Sequence, residues 1–181
     1  MSDETSRIWK QIHEINRQLR NLRDPQAYAP DRTVFASYST NAGQSISNNA
    51  SPQEIIDFED KTADTHSAVT VGASWKFTAP VRLVYTVRAH ILYTSTTTWA
   101  LAEIGSLSLF KNGARFRALD RNDNMDSSAG ALYKRLHGSC SLLLEPGDYI
   151  SIRTYQTSGA ALALHNDGEF CWVTITGRRG I

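Results

Sequence analysis

The chain opens with an apolar stripe, Ile8, Ile12, Ile15, Leu19 and Leu22, whose spacings alternate between four and three. Past Pro25 that period is gone. Short runs rich in Val, Ile, Thr and aromatics then alternate with turn residues almost to the C-terminus. A repeat of about 3.5 residues suits helices wound together, which keep such a seam buried along their length. The change of period therefore predicts a helical coiled-coil anchor over residues 1–24, a Pro-bounded linker over 25–32 and a β-rich head over 33–181. An oligomerising stalk with a head is the layout of a display protein, not the usual layout of a soluble enzyme.

With Ile8, Ile15 and Leu22 at heptad position d and Ile12 and Leu19 at position a, isoleucine occupies both core positions, which favours three or more strands over two. Asp3 and Glu4 complement the helix N-terminus, and Arg20 and Arg23 its C-terminus. The alternative is an ordinary amphipathic helix lying on its own domain. Two heptads are few, and a helix this short is marginal alone in water.

A length of 181 residues with 41% apolar content suits one domain plus a short leader. Net charge is +1 without a basic stripe, which argues against nucleic acid as a partner. Met1–Thr5 is polar and lacks the apolar segment of a secretory signal, and no run reaches membrane-spanning length. Synthesis in a cytoplasm, with the chain staying there or leaving by lysis or assembly and without membrane insertion, is the expectation. Cys140 and Cys171 lie in apolar strand-like runs and read as buried, reduced thiols.

Strands are expected near residues 33–40, 54–59, 69–78, 82–94, 105–110, 114–119, 136–144, 148–156 and 169–177. Many short strands punctuated by turns mean a sandwich or jelly roll. Leu83 to Tyr93 alternates, with Leu83, Tyr85, Val87, Ala89, Ile91 and Tyr93 on one face. The closing run from Phe170 is apolar on both faces through Val173, which calls for a second covering partner, and a neighbouring subunit would provide it. Tyr85, Val87, Phe170 and Trp172 thus join the stalk residues as the expected oligomerisation set.

Chemistry-bearing patterns are sparse. His13, His66, His90, His137 and His165 are scattered, with no pair at metal-ligand spacing. There is no nucleophile elbow, phosphate loop or HExxH. Glu54, Asp57, Glu59 and Asp60 offer carboxylates of the kind glycoside cleavage uses, or else a solvated edge. Asp120, Asn122 and Asn124 supply oxygens at alternate positions, as a calcium loop does, but the loop's glycine and closing glutamate are replaced by Met125 and Ala131. No other cofactor is expected. Thr94 to Thr98 sets hydroxyls beside Trp99, which suits carbohydrate contact, with packing of Trp99 into the core as the alternative.

Several segments now resemble the complement globular head (C-one-q) and tumour necrosis factor jelly-roll family. Val34-Phe35-Ala36 looks like its first strand and Ile56-Asp57-Phe58-Glu59 like the short strand that follows. Trp75-Lys76-Phe77-Thr78-Ala79-Pro80 through Tyr85 resembles its G-x-F-x-A-P-x-x-G-x-Y stretch. Ser108 to Gly113 resembles its L-x-K-N-G hairpin, Leu142 to Asp148 its L-x-L-x-x-G-D turn, and Phe170 to Ile175 its closing strand. The match runs over residues 33–177, with Leu83 where the family has a turn glycine. The resemblance implies a ten-stranded jelly roll that assembles as a compact homotrimer around its inner sheet. A heptad stalk on a chain without a signal or Gly-X-Y run looks more like the phage or prophage virion branch. What that branch implies is a non-enzymatic virion structural protein. It would be a tail, baseplate or fibre component for host receptor or glycan attachment, joined to other virion proteins through its N-terminal segment. A capsid head-fibre or decoration protein and a bacterial ligand-type module are the alternatives.

Long connections near residues 41–54, 95–104, 120–135 and 157–168 alternate with tight turns at Pro80, Asn112-Gly113 and Pro146-Gly147. In an antiparallel sandwich, alternation of this kind sends the long loops to one end. Trp99, Asn122, Asp123 and His165 on those loops are the expected recognition residues.

Overall fold

The computed structural model describes residues 9–11, 13–15, 33–94, 99, 102–123 and 133–178, with backbone alone at 50–52. The chain divides into two compact units, Met1–Arg32 and Thr33–Ile181. In the first, residues 9–11 and 13–15 are helical, and Trp9 and Ile15 are exposed. Ile8, Ile12, Leu19 and Leu22, the linker, Ser95–Thr98 and Asn124 lie outside the described residues.

The second unit is all-β. Its strands are β1 (Val34–Ser39), β2 (Ser45–Ile46), β3 (Asn49–Ile55), β4 (Asp60–Asp64), β5 (Val69–Thr70), β6 (Lys76–Thr78) and β7 (Leu83–Thr94). They continue as β8 (Ile104–Lys111), β9 (Ala114–Asp123), β10 (Lys134–Leu144), β11 (Tyr149–Gln156), β12 (Leu162–Leu164) and β13 (Trp172–Arg178). Two sheets form. In the first, β10 lies against β7, followed by β13, β1 and β4, while β12 and β2 extend from the last residues of β7. The second runs β5–β6–β11–β8–β9. Just after β3, the Ile56 N–H donates to the Ile152 carbonyl of β11 at 3.0 Å.

The strand count corrects the sequence reading, since the described residues hold thirteen strands and not ten. Two short strands sit inside connections read as loops, where β2 and β12 pair with each other through Ile46 and Leu162. The run 69–78 divides into β5 and β6 around a turn with Gly72 at φ 98°. Residues 56–59 lie between β3 and β4, yet Ile56 and Phe58 are fully buried. Apolar alternation reports which side chains are buried. It does not report whether the backbone beside them is paired.

The core fills the space between the sheets. On β7 the inward residues run Leu83, Tyr85, Val87, Ala89, Ile91, and on β10 Leu136, Cys140, Leu142, Leu144. Trp75 is fully buried, edge-on to Phe58 at 5.3 Å and to Tyr38 at 6.5 Å, and Phe77 meets Tyr85 edge-on at 5.4 Å. Each such side chain contributes about 1.5–3 kcal/mol by leaving water. Cys140 and Cys171 are both buried and unpaired.

Candidate functional site

Described residues of three of the long connections meet one another. The Thr157 N–H donates to the Ile104 carbonyl, and the Ile104 N–H to the Thr157 hydroxyl. The Gly159 N–H donates to Asn48 Oδ1, and buried Gln156 donates to the carbonyls of Ile46 and Ala160. The tight turns gather elsewhere: Ala79 bonds both Gly147 and Asp148, and Asn112 bonds Tyr149.

Of the expected recognition residues at the loop end, Trp99 must be reassigned. It is only 3% exposed, edge-on to Tyr93 at 5.9 Å and beneath the Lys134 ammonium, so it anchors the core and offers no face to a ligand. A large ring gains more by burial than a polar loop can offer it outside. Asn122 and Asp123 are exposed on β9; the Asn122 carbonyl accepts from Lys134 Nζ at 3.3 Å, and Asp123 pairs with Arg121 at 2.8 Å. His165 packs edge-on against Phe170 at 4.7 Å, between β12 and β13. Lys134 thus joins Trp99 to Asn122, while no described contact brings His165 to them.

Of the calcium reading, Asn124 lies outside the described residues, and the described part is not loop-shaped. Residues 120–123 are strand, and Asp120 Oδ2 already accepts the His137 N–H at 3.0 Å. Among the described residues, this extended edge, with a lysine ammonium on the Asn122 carbonyl, forms no ring of oxygens of the kind a calcium loop folds around its ion.

The carboxylates of 54–60 are likewise engaged. Glu54 accepts from the Ser47 N–H, Asp57 from Gly72 and Glu59 from both Asn41 and Ala42, while Asp60 accepts from the Asn41 side chain. These bonds hold the neighbouring turns together.

A second surface is the outward face of the first sheet. Tyr85 and Val87 do not reach it, because both are fully buried in the chain's own core. The register places other residues outside: Val84, Thr86, Arg88 and His90 on β7, and Trp172, Thr174, Thr176 and Arg178 on β13. The closing strand is therefore apolar on both faces only at its start, and hydroxyls follow Trp172. Trp172 stacks on His90 at 5.9 Å, and His137 of β10 lies 6.1 Å from His90 on the other side. Phe170 is partly buried, and its carbonyl bonds His90 Nδ1 at 2.6 Å. Sequence spacing hides this aromatic row, since only the strand register brings residues 90, 137 and 172 together. Val84 and Leu143 are paired neighbours, 37% and 45% exposed. Between β1, β13 and β7 lies a cavity of about 390 Å³ lined by Phe35, Thr86, Arg88, Thr174, Thr176 and Arg178.

No family model and no curated protein matches the chain. Solved structures do. An Eiger tumour necrosis factor from S. frugiperda is 16% identical with a TM-score of 0.59, over 82% of this chain and 94% of that one. The globular domain of zebrafish complement 1qA protein is 17% identical with a TM-score of 0.55, over 82% and 98%. Murine APRIL at pH 8.0 is 11% identical with a TM-score of 0.54, over 81% and 100%. The fold is thus that of the tumour necrosis factor and complement-head jelly rolls. At such identities the likeness extends to the fold and no further.

Proposed function

We propose that the chain is a non-enzymatic, homotrimeric display protein of a phage particle, a tail, baseplate or fibre component whose head contacts a host receptor or glycan. The observation that carries the association is the outward face of the first sheet. There Val84 and Leu143 stand exposed toward one end of β7, and the stacked Trp172 and His90 lie six residues further along it. An antiparallel sheet can present one face to water, but exposed apolar pairs and a stacked indole suit burial against another copy. The seam on this reading passes through Val84, Leu143, Trp172 and His90, in place of Tyr85 and Val87. The heptad spacing of Ile8, Ile12, Ile15, Leu19 and Leu22 supports a parallel bundle of the same order and a route for joining other virion proteins. The converging loop end, with Asn122 and Asp123 exposed, remains the surface for receptor or glycan contact.

Light scattering on the purified chain, together with labelling of intact particles, tests this. A trimer mass at micromolar concentration and label on the particle surface are expected. A monomer, or particles without the protein, overturns it.

A further inference from the structure

The cavity on the outward sheet face is cationic and unpaired. The register runs Arg88–Thr174, Thr86–Thr176 and Val84–Arg178, so the two arginines bracket the Thr86–Thr176 pair on one face. Strand geometry puts their Cα atoms about 14 Å apart, a span that two extended arginine side chains close toward a shared ligand. Phe35 of β1 stands opposite Thr176 and walls the third side. Among the described residues neither guanidinium has an ion-pair partner, and the outward positions of β1, β7, β10 and β13 carry no aspartate or glutamate. Arg135 adds to the same sign of charge on that face.

Two free guanidinium forks above threonine hydroxyls match one chemistry, an oxyanion with several acceptor atoms. We propose that this pocket binds a small oxyanion of the phosphate or sulfate class, gripped by Arg88 and Arg178 and seated on Thr86, Thr174 and Thr176. The pocket lies on the face assigned above to self-association, and in that respect the inference deepens the functional reading. Packing copies together there desolvates both arginines, which is unfavourable unless an opposite charge accompanies them. A bound oxyanion provides that charge and makes association through this face depend on it. A carboxylate from a neighbouring copy is the other source of the same chemistry.

Calorimetric titration with inorganic phosphate and with sulfate, at ionic strength fixed by chloride, tests the site in the full chain. Saturable binding is expected, weakened tenfold or more by Arg88→Gln and by Arg178→Gln but unchanged by Arg121→Gln. Both target arginines are exposed, and circular dichroism confirms the fold of each variant. Absence of saturable binding, or equal binding in all variants, overturns the site. Light scattering on the same samples separates the two readings. Arginine-dependent phosphate binding by a chain that stays monomeric keeps the anion site and removes the trimer. A trimer that needs the arginines but ignores phosphate overturns the site and assigns them to a neighbouring carboxylate.

Discussion

The Lys134 ammonium lies 4.0 Å from the centroid of the Trp99 ring, and both residues are buried. Its nitrogen also donates to the carbonyls of Glu103 and Asn122, so one lysine ties together the start of β8, the end of β9 and the start of β10. Burial pushes the ammonium below the usual lysine range, opposed by the nearby Glu103 and Asp123. A cation over an indole in such surroundings is worth about 2 kcal/mol or more. Trp99→Ala should therefore destabilise the head by about 3–5 kcal/mol in urea titration, as expected for an emptied aromatic site. Lys134→Met, which keeps the stem and drops the charge, should cost less. A loss under 1 kcal/mol in Trp99→Ala contradicts the anchoring role.

The Tyr38 hydroxyl donates to Asp64 at 3.0 Å, joining β1 to β4. Burial raises the Asp64 pKa, but the N–H groups of Ala68 and His66, the Tyr38 hydroxyl and the Val69 N–H outweigh it and leave the carboxyl below its usual value. Its contribution is present above the unfolded value of 3.8 and fades as pH falls through the folded one. On the other side, burial first and Asp64 second push Tyr38 up to about 12. That stability is complete below 10.0 and is lost as pH rises toward about 12. Tyr38→Phe should lower the melting temperature at neutral pH, by the equivalent of about 1.5–3 kcal/mol for a bond to a charged acceptor. It should also flatten part of the alkaline decline. Buried Tyr85, likewise raised to about 12, and Tyr93, pushed up further by burial, keep the remainder. An unchanged alkaline limb in Tyr38→Phe contradicts this assignment.

Alternation made β7 and β10 legible, because each buries every second side chain against the other sheet. The turns around Pro80, Asn112-Gly113 and Pro146-Gly147 were legible because few residues accept their backbone angles, and Asn112 and Gly113 sit at φ 49° and 82°. β2 and β12 were not legible, since two- and three-residue strands have no period to read. The outward face was misjudged from residue type. Tyr85 and Val87 look like seam residues until register shows that Thr86 and Arg88 face outside. Trp99 shows the same limit, because a ring beside a polar loop carries no sign of which way it turns.

Close approach of the two sheet edges gives a sharper test. A Cβ on Gly138 of β10 would lie 2.5 Å from the Leu119 carbonyl of β9, nearer than any side chain tolerates. Since the obstacle is backbone, Gly138→Ala must part β9 from β10 and strain the His137–Asp120 bond beside it. A loss of about 1–3 kcal/mol is expected, as for other overpacked sites. Faster amide exchange at His137 should accompany it. Wild-type stability in Gly138→Ala contradicts the contact.

The last test concerns two turns that are far apart in sequence and joined in space. Asn112 donates to Asp148 Oδ1 at 2.7 Å and accepts the Tyr149 N–H at 2.9 Å, while Lys111 pairs with Asp148 Oδ2 at 2.8 Å. The Glu145 N–H completes the clamp. Lys111 first, then Asn112 and the Glu145 amide, hold the Asp148 carboxyl down at about 2. Its contribution is therefore whole above 3.8 and is lost as pH falls toward about 2. Asn112 also holds a left-handed backbone angle, which costs most side chains about 1–2 kcal/mol. Two substitutions separate these effects. Asn112→Gly keeps the angle and loses only the bonds, whereas Asn112→Ala loses both and should be the less stable by about that amount. Asp148→Asn should lower stability at pH 7 and flatten the decline between pH 4 and 2. Equal stability of the glycine and alanine variants would show that the bonds, not the backbone angle, select asparagine here.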